Sequence, residues 1–386
     1  MAVKVLHLIN TLSAGGAELH LLTLCRYLKN QGIDLGVAFL REAVKGSRSL
    51  VGDFEKENIR VINLGADSRY NLSFLRRLLR LVKSERPDIL HTHLPRADIA
   101  GALAFRLASP PALICSVHGI YRDRWFGSWA TPLMRRAYRE ADAVIAISAA
   151  VKNWLHQDLG IHNDKVKVIH YGIESERFTA KNLNGRTDGQ AVVGSIGRLE
   201  PGKGFDCLIR AMQEVQHQVP NASLSIAGHD PLGYGNKLEG LIAGLNLTDH
   251  VQLVGFHQDV ASFLHATDVF AFASRSEGFG QVVIEAMAAG KPVVVSRIPP
   301  LTEIVKDGET GLLIEPDQPE RFARAISWLL MHRKEAEELG RRGQMWVQDH
   351  FSADKMARET VSLYEQLVGR SRCPDRVERA NGFEGR

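Results

Sequence analysis

Residues 269–296 read VFAFASRSEGFGQVVIEAMAAGKPVVVS, and the order of apolar and polar residues in them indicates the fold class. The apolar runs at 269–274 and 292–296 each predict a short buried strand. Residues 281–289 between them predict a helix that is apolar over most of its length. Buried strands that alternate with helices indicate a parallel sheet with both of its faces covered.

The same alternation of strands and helices runs through most of the chain. A polar segment rich in Gly and Asn, residues 181–190, interrupts it and predicts a linker. The predicted strands are residues 3–9, 35–40, 60–64, 88–93, 112–118 and 143–148 before the linker, and 191–197, 223–228, 251–255, 269–274 and 292–296 after it. The sequence therefore predicts an α/β protein with two Rossmann-like, doubly wound domains that face a cleft where ligands bind.

The domain limits follow from this pattern. Residues 1–180 form the predicted N-terminal domain, and residues 181–351 form the C-terminal one. Two further helices are expected near 335–350 and 352–370, followed by a disordered tail at 371–386. A length of 386 residues suits two domains, and a composition of 45% hydrophobic and 24% charged residues is typical of a soluble globular protein.

The charge is unevenly distributed along the chain. Residues 1–180 contain 25 Lys and Arg against 17 Asp and Glu, whereas the remainder has a net charge of −4. The surplus predicts that the N-terminal half meets nucleic acid, an anionic membrane or a phosphorylated substrate. No signal peptide or membrane-spanning run is evident. We therefore expect a cytoplasmic protein, or one peripheral on a cytoplasmic membrane face.

Two glycine-rich loops each follow a predicted strand and open a helix. Gly15 and Gly16 would let the backbone approach a ligand, and the amides at a helix start attract phosphate. A tight turn explains these two glycines equally well, because neither a Walker motif nor a dinucleotide fingerprint is present. In the second loop Arg198 and Lys203 are two cations beside a helix start, which suits a diphosphate.

Two carboxylates, Glu277 and Glu285, stand eight positions apart in the stretch quoted first. Carboxylates accept hydrogen bonds from sugar and ribose hydroxyls. Glu277 lies in a loop after a strand, whereas Glu285 lies in an apolar helix. Glu285 could simply decorate that helix, but a buried carboxylate needs partners.

His118 ends a predicted strand of the first domain and is a candidate contact residue. His91 and His93 are weaker candidates, since a lone histidine is more often structural. Neither the histidines nor the four cysteines show metal-ligand spacing, so no metal site and no cofactor are predicted.

Together these motifs resemble glycosyltransferase family 4, whose members are retaining, nucleotide-sugar-dependent enzymes with the two-domain GT-B fold. The resemblance rests on residues 15–18, on residues 197–204, on the E-x7-E element and on the run EAMAAGKPV at 285–293. It covers essentially residues 3–370. One departure is Tyr171, which stands before Gly172 where the family often has Asn.

In the N-terminal domain, which reads the acceptor in this family, the resemblance implies two contacts with the donor. Gly15 and Gly16 would lie against the donor phosphates or sugar. His118 would contact the transferred sugar and help to stabilise the developing positive charge. The last helix would cross back to pack on this domain.

In the C-terminal domain the resemblance implies the nucleotide-sugar site. Arg198 and Lys203 would hold the diphosphate and stabilise it as it leaves, in place of a divalent metal. Glu277 would bind sugar hydroxyls, and Glu285 would bind ribose hydroxyls. The residues that would close on the sugar and phosphate are Gly278, Phe279 and Gly280.

The predicted function is therefore transfer of a hexose-type sugar from a nucleotide sugar to a glycan or lipid-linked acceptor, in cell-envelope or exopolysaccharide biosynthesis. A UDP-sugar is favoured over a GDP-sugar, and nucleic acid is not an expected partner. The basic amphipathic segment 69–86 and the basic, aromatic cluster 121–129 suggest contact with an anionic membrane. A core-facing helix with a solvated outer face explains residues 69–86 equally well.

Other classes of protein remain open. A nucleotide-sugar epimerase of the same architecture would change the sugar without an acceptor. A non-catalytic scaffold subunit could keep the fold, although it has no reason to keep Arg198, Lys203, Glu277 and Glu285 together. A nicotinamide-dependent oxidoreductase is disfavoured because neither domain carries the dinucleotide fingerprint.

Overall fold

The computed structural model describes residues 2–43, 48–66, 73–121, 130–179, 189–257 and 259–371. The chain forms two compact units. Unit 1 runs to Gly172 and takes up the chain again at Ala353, and unit 2 spans Ile173–Ser352. None of the helices in the described ranges combines the length and apolarity that a bilayer crossing requires.

Unit 1 is a parallel sheet with helices packed on it. Its strands are β1 (Lys4–Ile9), β2 (Asp34–Phe39), β3 (Arg60–Asn63), β4 (Ile89–His93), β5 (Ala112–Val117), β6 (Ala143–Ala146) and β7 (Val166–Val168). Its helices are α1 (Gly16–Asn30), α2 (Val51–Lys56), α3 (Ser73–Glu85), α4 (Pro95–Ala108), α5 (Ala130–Glu140), α6 (Ala149–Gln157) and α14 (Ala353–Ser371). The seven strands lie in the order β3-β2-β1-β4-β5-β6-β7.

Unit 2 repeats this plan with six parallel strands. They are β8 (Ala191–Ile196), β9 (Ala222–Ala227), β10 (Val251–Gly255), β11 (Val269–Phe272), β12 (Val293–Ser296) and β13 (Leu312–Ile314). The helices are α7 (Phe205–Gln218), α8 (Gly235–Gly244), α9 (Val260–His265), α10 (Gln281–Ala288), α11 (Leu301–Ile304), α12 (Pro319–Met331) and α13 (Arg333–His350). The sheet order is β10-β9-β8-β11-β12-β13, and the prediction of two doubly wound α/β units is confirmed.

Both faces of each sheet are covered, which explains the near-continuous apolar runs. In β1, Val5 packs with Leu24 and Leu28 of α1 on one face. Leu8 lies beside Gly101 of α4 on the other face. Successive side chains of a strand point to opposite faces, so a strand covered on both must be apolar at nearly every position.

Helix α14 belongs to unit 1 although it is the last helix of the chain. Met356, Leu363 and Tyr364 are buried in the same apolar cluster as Leu24 of α1 and Ile114 of β5. These contacts anchor the end of the helical region on the first sheet. Residues 372–386, which include most of the predicted disordered tail, lie outside the described residues.

The division between the units comes at residues 172 and 173, earlier than the predicted boundary at 180. Ile173 already belongs to unit 2, where its N–H donates to the Phe351 carbonyl at 2.9 Å. The Phe178 carbonyl is 2.8 Å from His265 Nε2 of α9. The sequence placed the boundary at the polar segment, but residues 173–178 before it already pack on unit 2. Most of that segment, residues 181–188, lies outside the described residues.

Candidate active site

The motifs of the second half lie at the switch point of the unit 2 sheet. The strand order reverses between β8 and β11. Residues 197–204 follow β8, and residues 273–280 follow β11. Ligands of open parallel sheets bind outside the carboxyl ends of the strands at such a point. The two loops therefore stand where this fold offers a ligand site.

Lys203 and Glu277 form an ion pair between these loops. Lys203 ends a short 3-10 turn, and its Nζ donates to Glu277 Oε1 at 2.6 Å. The two side chains are only 15% and 10% exposed. Ser274 Oγ donates to the same carboxylate oxygen at 2.7 Å. The structure thus joins the cation of one predicted motif to the carboxylate of the other.

Arg198 occupies a different position in the same loop. It is exposed, and its Nη2 donates to Glu200 Oε1 at 3.1 Å. Exposed pairs of this kind contribute little to stability. A bound anion could therefore draw the guanidinium away from Glu200 at small cost.

The two loops touch through their backbones at Gly204. This residue has φ 67°, and a Cβ there would lie 2.0 Å from the Ala273 carbonyl oxygen. Only glycine accommodates both the left-handed backbone and this close approach. The Arg275 N–H donates to the Gly202 carbonyl at 2.8 Å, and Ser274 Oγ lies 3.1 Å from the same oxygen.

Arg275 is a site-supporting residue that the sequence reasoning missed. Its guanidinium donates to both carboxylate oxygens of Asp206, at 3.0 and 2.8 Å, and pairs with Asp317 at 2.6 Å. It also donates to the Pro201 carbonyl. Hydrogen bonds from Arg275 hold the pKa of the Asp206 carboxyl below its usual value, although burial opposes the shift. The side chain therefore ties the loop after β11 to the turn before α7.

Gly278, Phe279 and Gly280 lead into α10. Gly280 is the residue before the helix and has φ 103°, which favours glycine. Phe279 is buried, and its ring lies 5.9 Å from that of Phe351. Its side chain thus anchors the loop in the core, and the backbone of the loop is the part that remains for a ligand. Gly278 is partly exposed.

Glu285 is buried in α10, as the apolar helix around it predicted. It is 8% exposed, and Gln281 Nε2 donates to its Oε1 at 2.9 Å. Burial raises the pKa of the carboxyl to about 7, against smaller opposing effects of the Gln281 hydrogen bond and the Arg177 charge. The group therefore changes charge close to neutral pH.

Gly15 and Gly16 start α1 in unit 1, after β1. Gly15 precedes the helix in an extended conformation, and Gly16 is exposed. Glu18 lies in the first helical turn, where Thr11 Oγ1 donates to its Oε1 at 3.2 Å. Burial raises the pKa of the Glu18 carboxyl, against smaller opposing effects of its hydrogen bonds.

His118 directly follows β5 and is held at both ring nitrogens. Nδ1 is 2.6 Å from the Tyr171 hydroxyl, and Nε2 is 3.0 Å from His93 Nδ1. Its backbone N–H donates to the Tyr121 hydroxyl at 3.1 Å. Burial lowers the pKa of the ring to about 3, so the imidazole is neutral at physiological pH. The cluster proposed at 121–129 lies outside the described residues except for Tyr121.

His118 ends a group of histidines that the sequence analysis did not assemble. His7, His91 and His93 offer ring nitrogens within 4.8 Å of one another, a geometry that could hold a metal ion. No metal site was predicted from the sequence, because these three histidines come from two different strands and show no metal-ligand spacing along the chain. His7 and His91 are register partners in β1 and β4, and the H-x-H spacing puts His91 and His93 on one face. His91 is already hydrogen-bonded at both nitrogens, to Tyr364 and Ser116.

Two family models match consecutive parts of the chain. The model described as Glycosyltransferase Family 4 matches residues 14–177. The model described as Glycosyl transferases group 1 matches residues 176–346. Between them they include every loop described above.

Known proteins that are similar to this chain are also glycosyltransferases or share its fold. CapM of Staphylococcus aureus, a capsular polysaccharide biosynthesis glycosyltransferase, is 27% identical over 78% of this chain and 82% of the relative. A phosphatidyl-myo-inositol mannosyltransferase of Mycobacterium tuberculosis is 29% identical over 73% and 74% of the two chains. The crystal structure of Anabaena HepE in complex with UDP-glucose has a TM-score of 0.83 at 23% identity, and the match covers 94% of this chain and 99% of that one.

Proposed function

Because the chain is a glycosyltransferase of the family 4 type with the GT-B fold, we propose that it transfers a hexose-type sugar from a nucleotide sugar to a glycan or lipid-linked acceptor. The observation that carries the proposal is the partly buried Lys203–Glu277 pair at the switch point of unit 2. In this proposal Lys203 would hold the diphosphate, and Glu277 beside it would accept hydrogen bonds from the sugar hydroxyls.

The diphosphate is held by Lys203 and Arg198. Its charge grows as the bond to the sugar breaks, and both cations stand in the loop after β8 where that charge would develop. The backbone amides at the start of α10 add to the positive potential. Two cations and a helix start can stabilise the leaving group in place of a divalent metal, so we propose a metal-independent reaction.

The sugar and the ribose are held by the two carboxylates. Glu277 would exchange part of its contact with Lys203 for hydrogen bonds from the sugar hydroxyls. Glu285 would accept hydrogen bonds from the ribose hydroxyls, for which its ionised form is the better acceptor. A UDP-sugar is the favoured donor, since HepE binds UDP-glucose in a similar fold.

The transfer retains the anomeric configuration by attack on the same face. The acceptor hydroxyl would give its proton to a donor phosphate oxygen, because both ring nitrogens of His118 already have hydrogen-bond partners. His118 then acts as a fixed neutral contact for the sugar, and Gly15 and Gly16 let the backbone approach it.

The acceptor is proposed to be a growing envelope glycan or a lipid-linked sugar. CapM acts in capsular polysaccharide biosynthesis and the mycobacterial relative acts on a phosphatidyl-inositol, which supports an acceptor of this class. The basic surplus of residues 1–180 suits an anionic acceptor or lipid surface. The enzyme would then work in the cytoplasm, at the inner face of the membrane.

The test is binding and turnover of UDP-, GDP- and ADP-sugars in the presence of EDTA. We expect one donor to be turned over by the wild type and Lys203→Ala to lower kcat/KM about 10²- to 10³-fold, the usual cost of removing a group that stabilises transition-state charge. The control is Lys237→Ala, which removes an exposed lysine of α8 from the same unit.

Other results would point elsewhere. A changed sugar released without any acceptor would identify an epimerase. A requirement for a divalent cation would contradict metal independence. If none of the nucleotide sugars binds, the scaffold role replaces catalysis.

A further inference from the structure

The histidines of unit 1 form a hydrogen-bonded row. His118 Nε2 is 3.0 Å from His93 Nδ1, and His93 Nε2 is 3.0 Å from His7 Nδ1. At the outer end His118 Nδ1 is 2.6 Å from the Tyr171 hydroxyl. His7 and His93 are fully buried between the sheet and its helices. Each link joins the Nε2 of one ring to the Nδ1 of the next.

This repeated geometry couples the tautomers of the three rings. A neutral imidazole carries one N–H and one lone pair, so each link needs one donor and one acceptor. If one ring carries its hydrogen on Nδ1, its neighbours must do the same. Only two arrangements therefore satisfy both links, with every ring protonated at Nδ1 or every ring protonated at Nε2.

The inner end of the row distinguishes the two arrangements. His7 Nε2 is buried and has no hydrogen-bond partner among the described residues. The Nε2–H arrangement would leave a donor N–H unpaired there, whereas the Nδ1–H arrangement leaves only a lone pair. An unpaired buried N–H is rarer than an underused acceptor, and a buried donor without a partner costs about 1–3 kcal/mol.

We propose that His7, His93 and His118 all carry their hydrogen on Nδ1, and that His7 and His93 are positioning residues that fix the tautomer and orientation of His118. His118 then donates to Tyr171 and accepts from His93. The three N–H dipoles align with their positive ends toward Tyr171, and hydrogen bonds in such a chain strengthen one another. This role rests on the proposed function, in which His118 contacts the transferred sugar.

The direct test is ¹⁵N NMR of the histidine rings in the full-length protein, prepared with EDTA and without donor. Protonated and unprotonated ring nitrogens have distinct shifts, so the spectrum reports each tautomer. We expect Nδ1–H for all three rings. Nε2–H at His118, or a mixture of tautomers, overturns the proposal. No substitution is needed for this measurement, so it stands even if a variant fails to fold.

Two variants test whether the hydrogen bonds of the row, and not packing alone, set the tautomer of His118. His93→Phe keeps a ring in the core but removes both links. The Tyr171 hydroxyl can either donate or accept, and His118 is only partly buried, so we expect the single Nδ1–H form of His118 to become a mixture of tautomers and kcat to fall with little change in KM. His20→Phe is the control. The His20 ring stacks on Tyr171 at 4.0 Å without belonging to the row, so Phe should preserve that contact and leave the His118 tautomer unchanged. If His93→Phe leaves the His118 tautomer unchanged, the row does not set it.

A last experiment tests whether the histidine cluster binds a metal ion instead. If Zn²⁺ added to the EDTA-treated protein binds stoichiometrically and shifts the ring nitrogens of His7, His91 and His93 together, the cluster is a metal centre and the row is wrong. None of the spectra requires turnover. A protein that fails to use any nucleotide sugar but shows three Nδ1–H rings would refute the proposed function alone.

Discussion

Glu285 changes charge close to neutral pH, and this gives its proposed role a measurable consequence. Its carboxyl has a pKa raised to about 7 by burial, so it is ionised above that pH and neutral below it. The ionised form accepts hydrogen bonds from ribose hydroxyls more strongly. We expect KM for the nucleotide sugar to rise about tenfold as the pH falls from about 8 to about 6, equivalent to ~1.4 kcal/mol of binding.

Glu285→Gln separates this effect from other titrations. The amide cannot ionise, so KM should be high and nearly flat over the same range. Glu239→Gln, at an exposed position on α8, is the matched control and should behave as the wild type does. A wild-type KM that does not change with pH, or a dependence that persists in Glu285→Gln, would show that Glu285 does not hold the ribose.

Arg275 illustrates what residue-level reasoning could find and what it could not. The structure confirms that Lys203 and Glu277 lie in loops after strands, which the sequence could predict because glycine and charge at a strand end are local signals. The partners of Arg275 are not local, since Asp206 and Asp317 stand 69 and 42 positions away in sequence. Only the topology, which places the ends of β8 and β11 together, reveals that Arg275 ties the loops to each other.

Among the elements, the short edge strands were the ones that pattern reading missed. β7 (Val166–Val168) and β13 (Leu312–Ile314) each have three residues and lie at the edge of a sheet. Three residues are too few to establish a strand period, and an edge strand need not be apolar on both faces. The histidine row was missed for a related reason. His7 of β1 and His93 of β4 become neighbours only through the pairing of these two strands.

Helix α3 shows how the fold limits membrane contact. The apolar residues Phe74, Leu78 and Val82 are buried in unit 1, so this face is not available for insertion into lipid. The exposed side carries Arg76, Arg80 and Lys83. A core-facing helix with a charged outer face therefore describes α3, and any contact with anionic lipid must be electrostatic. Arg69, which the basic segment included, lies outside the described residues.

An electrostatic contact predicts a specific result in vesicle sedimentation. The wild type should bind vesicles that contain phosphatidylglycerol, and binding should weaken with added salt. Reversing the charge at Arg76, Arg80 and Lys83 should weaken binding at least about tenfold, since each basic residue contributes about 1 kcal/mol near such a surface. The control reverses Arg333, Lys334 and Arg342, exposed on α13 of unit 2. Equal loss in both variants, or binding to neutral vesicles, contradicts a contact through α3.

For the whole molecule, the titration of buried groups sets how stability depends on pH. Burial lowers the pKa of five histidines of unit 1 below the ordinary value near 6.5, and these are His7, His20, His91, His93 and His118. They stay neutral in the folded protein but take up protons when it unfolds below pH 6.5. Their contribution to stability is therefore present above that pH and lost as the pH falls toward the folded pKa values.

Three buried or partly buried carboxyls have the opposite effect on how the free energy of unfolding depends on pH. Burial raises the pKa values of Glu18, Asp98 and Glu285, to about 8 for Asp98 and about 7 for Glu285. They keep a proton in the folded state that the unfolded chain releases, so their contribution is lost as the pH rises. Between about pH 6 and 4.5 the five histidines that gain protons on unfolding outnumber the three carboxyls that release them. The free energy of unfolding should therefore fall as the pH falls through this range.

Urea unfolding between about pH 6 and 4.5 tests this balance and identifies the histidines as its source. His20→Phe removes one buried imidazole while keeping a ring against Tyr171, so the unfolding free energy should fall less steeply with pH than in the wild type. His217→Gln removes an exposed histidine of α7 and should leave the slope unchanged. The linkage to buried histidines is wrong if the wild type is equally stable across this window, or if His217→Gln changes the slope as much as His20→Phe does.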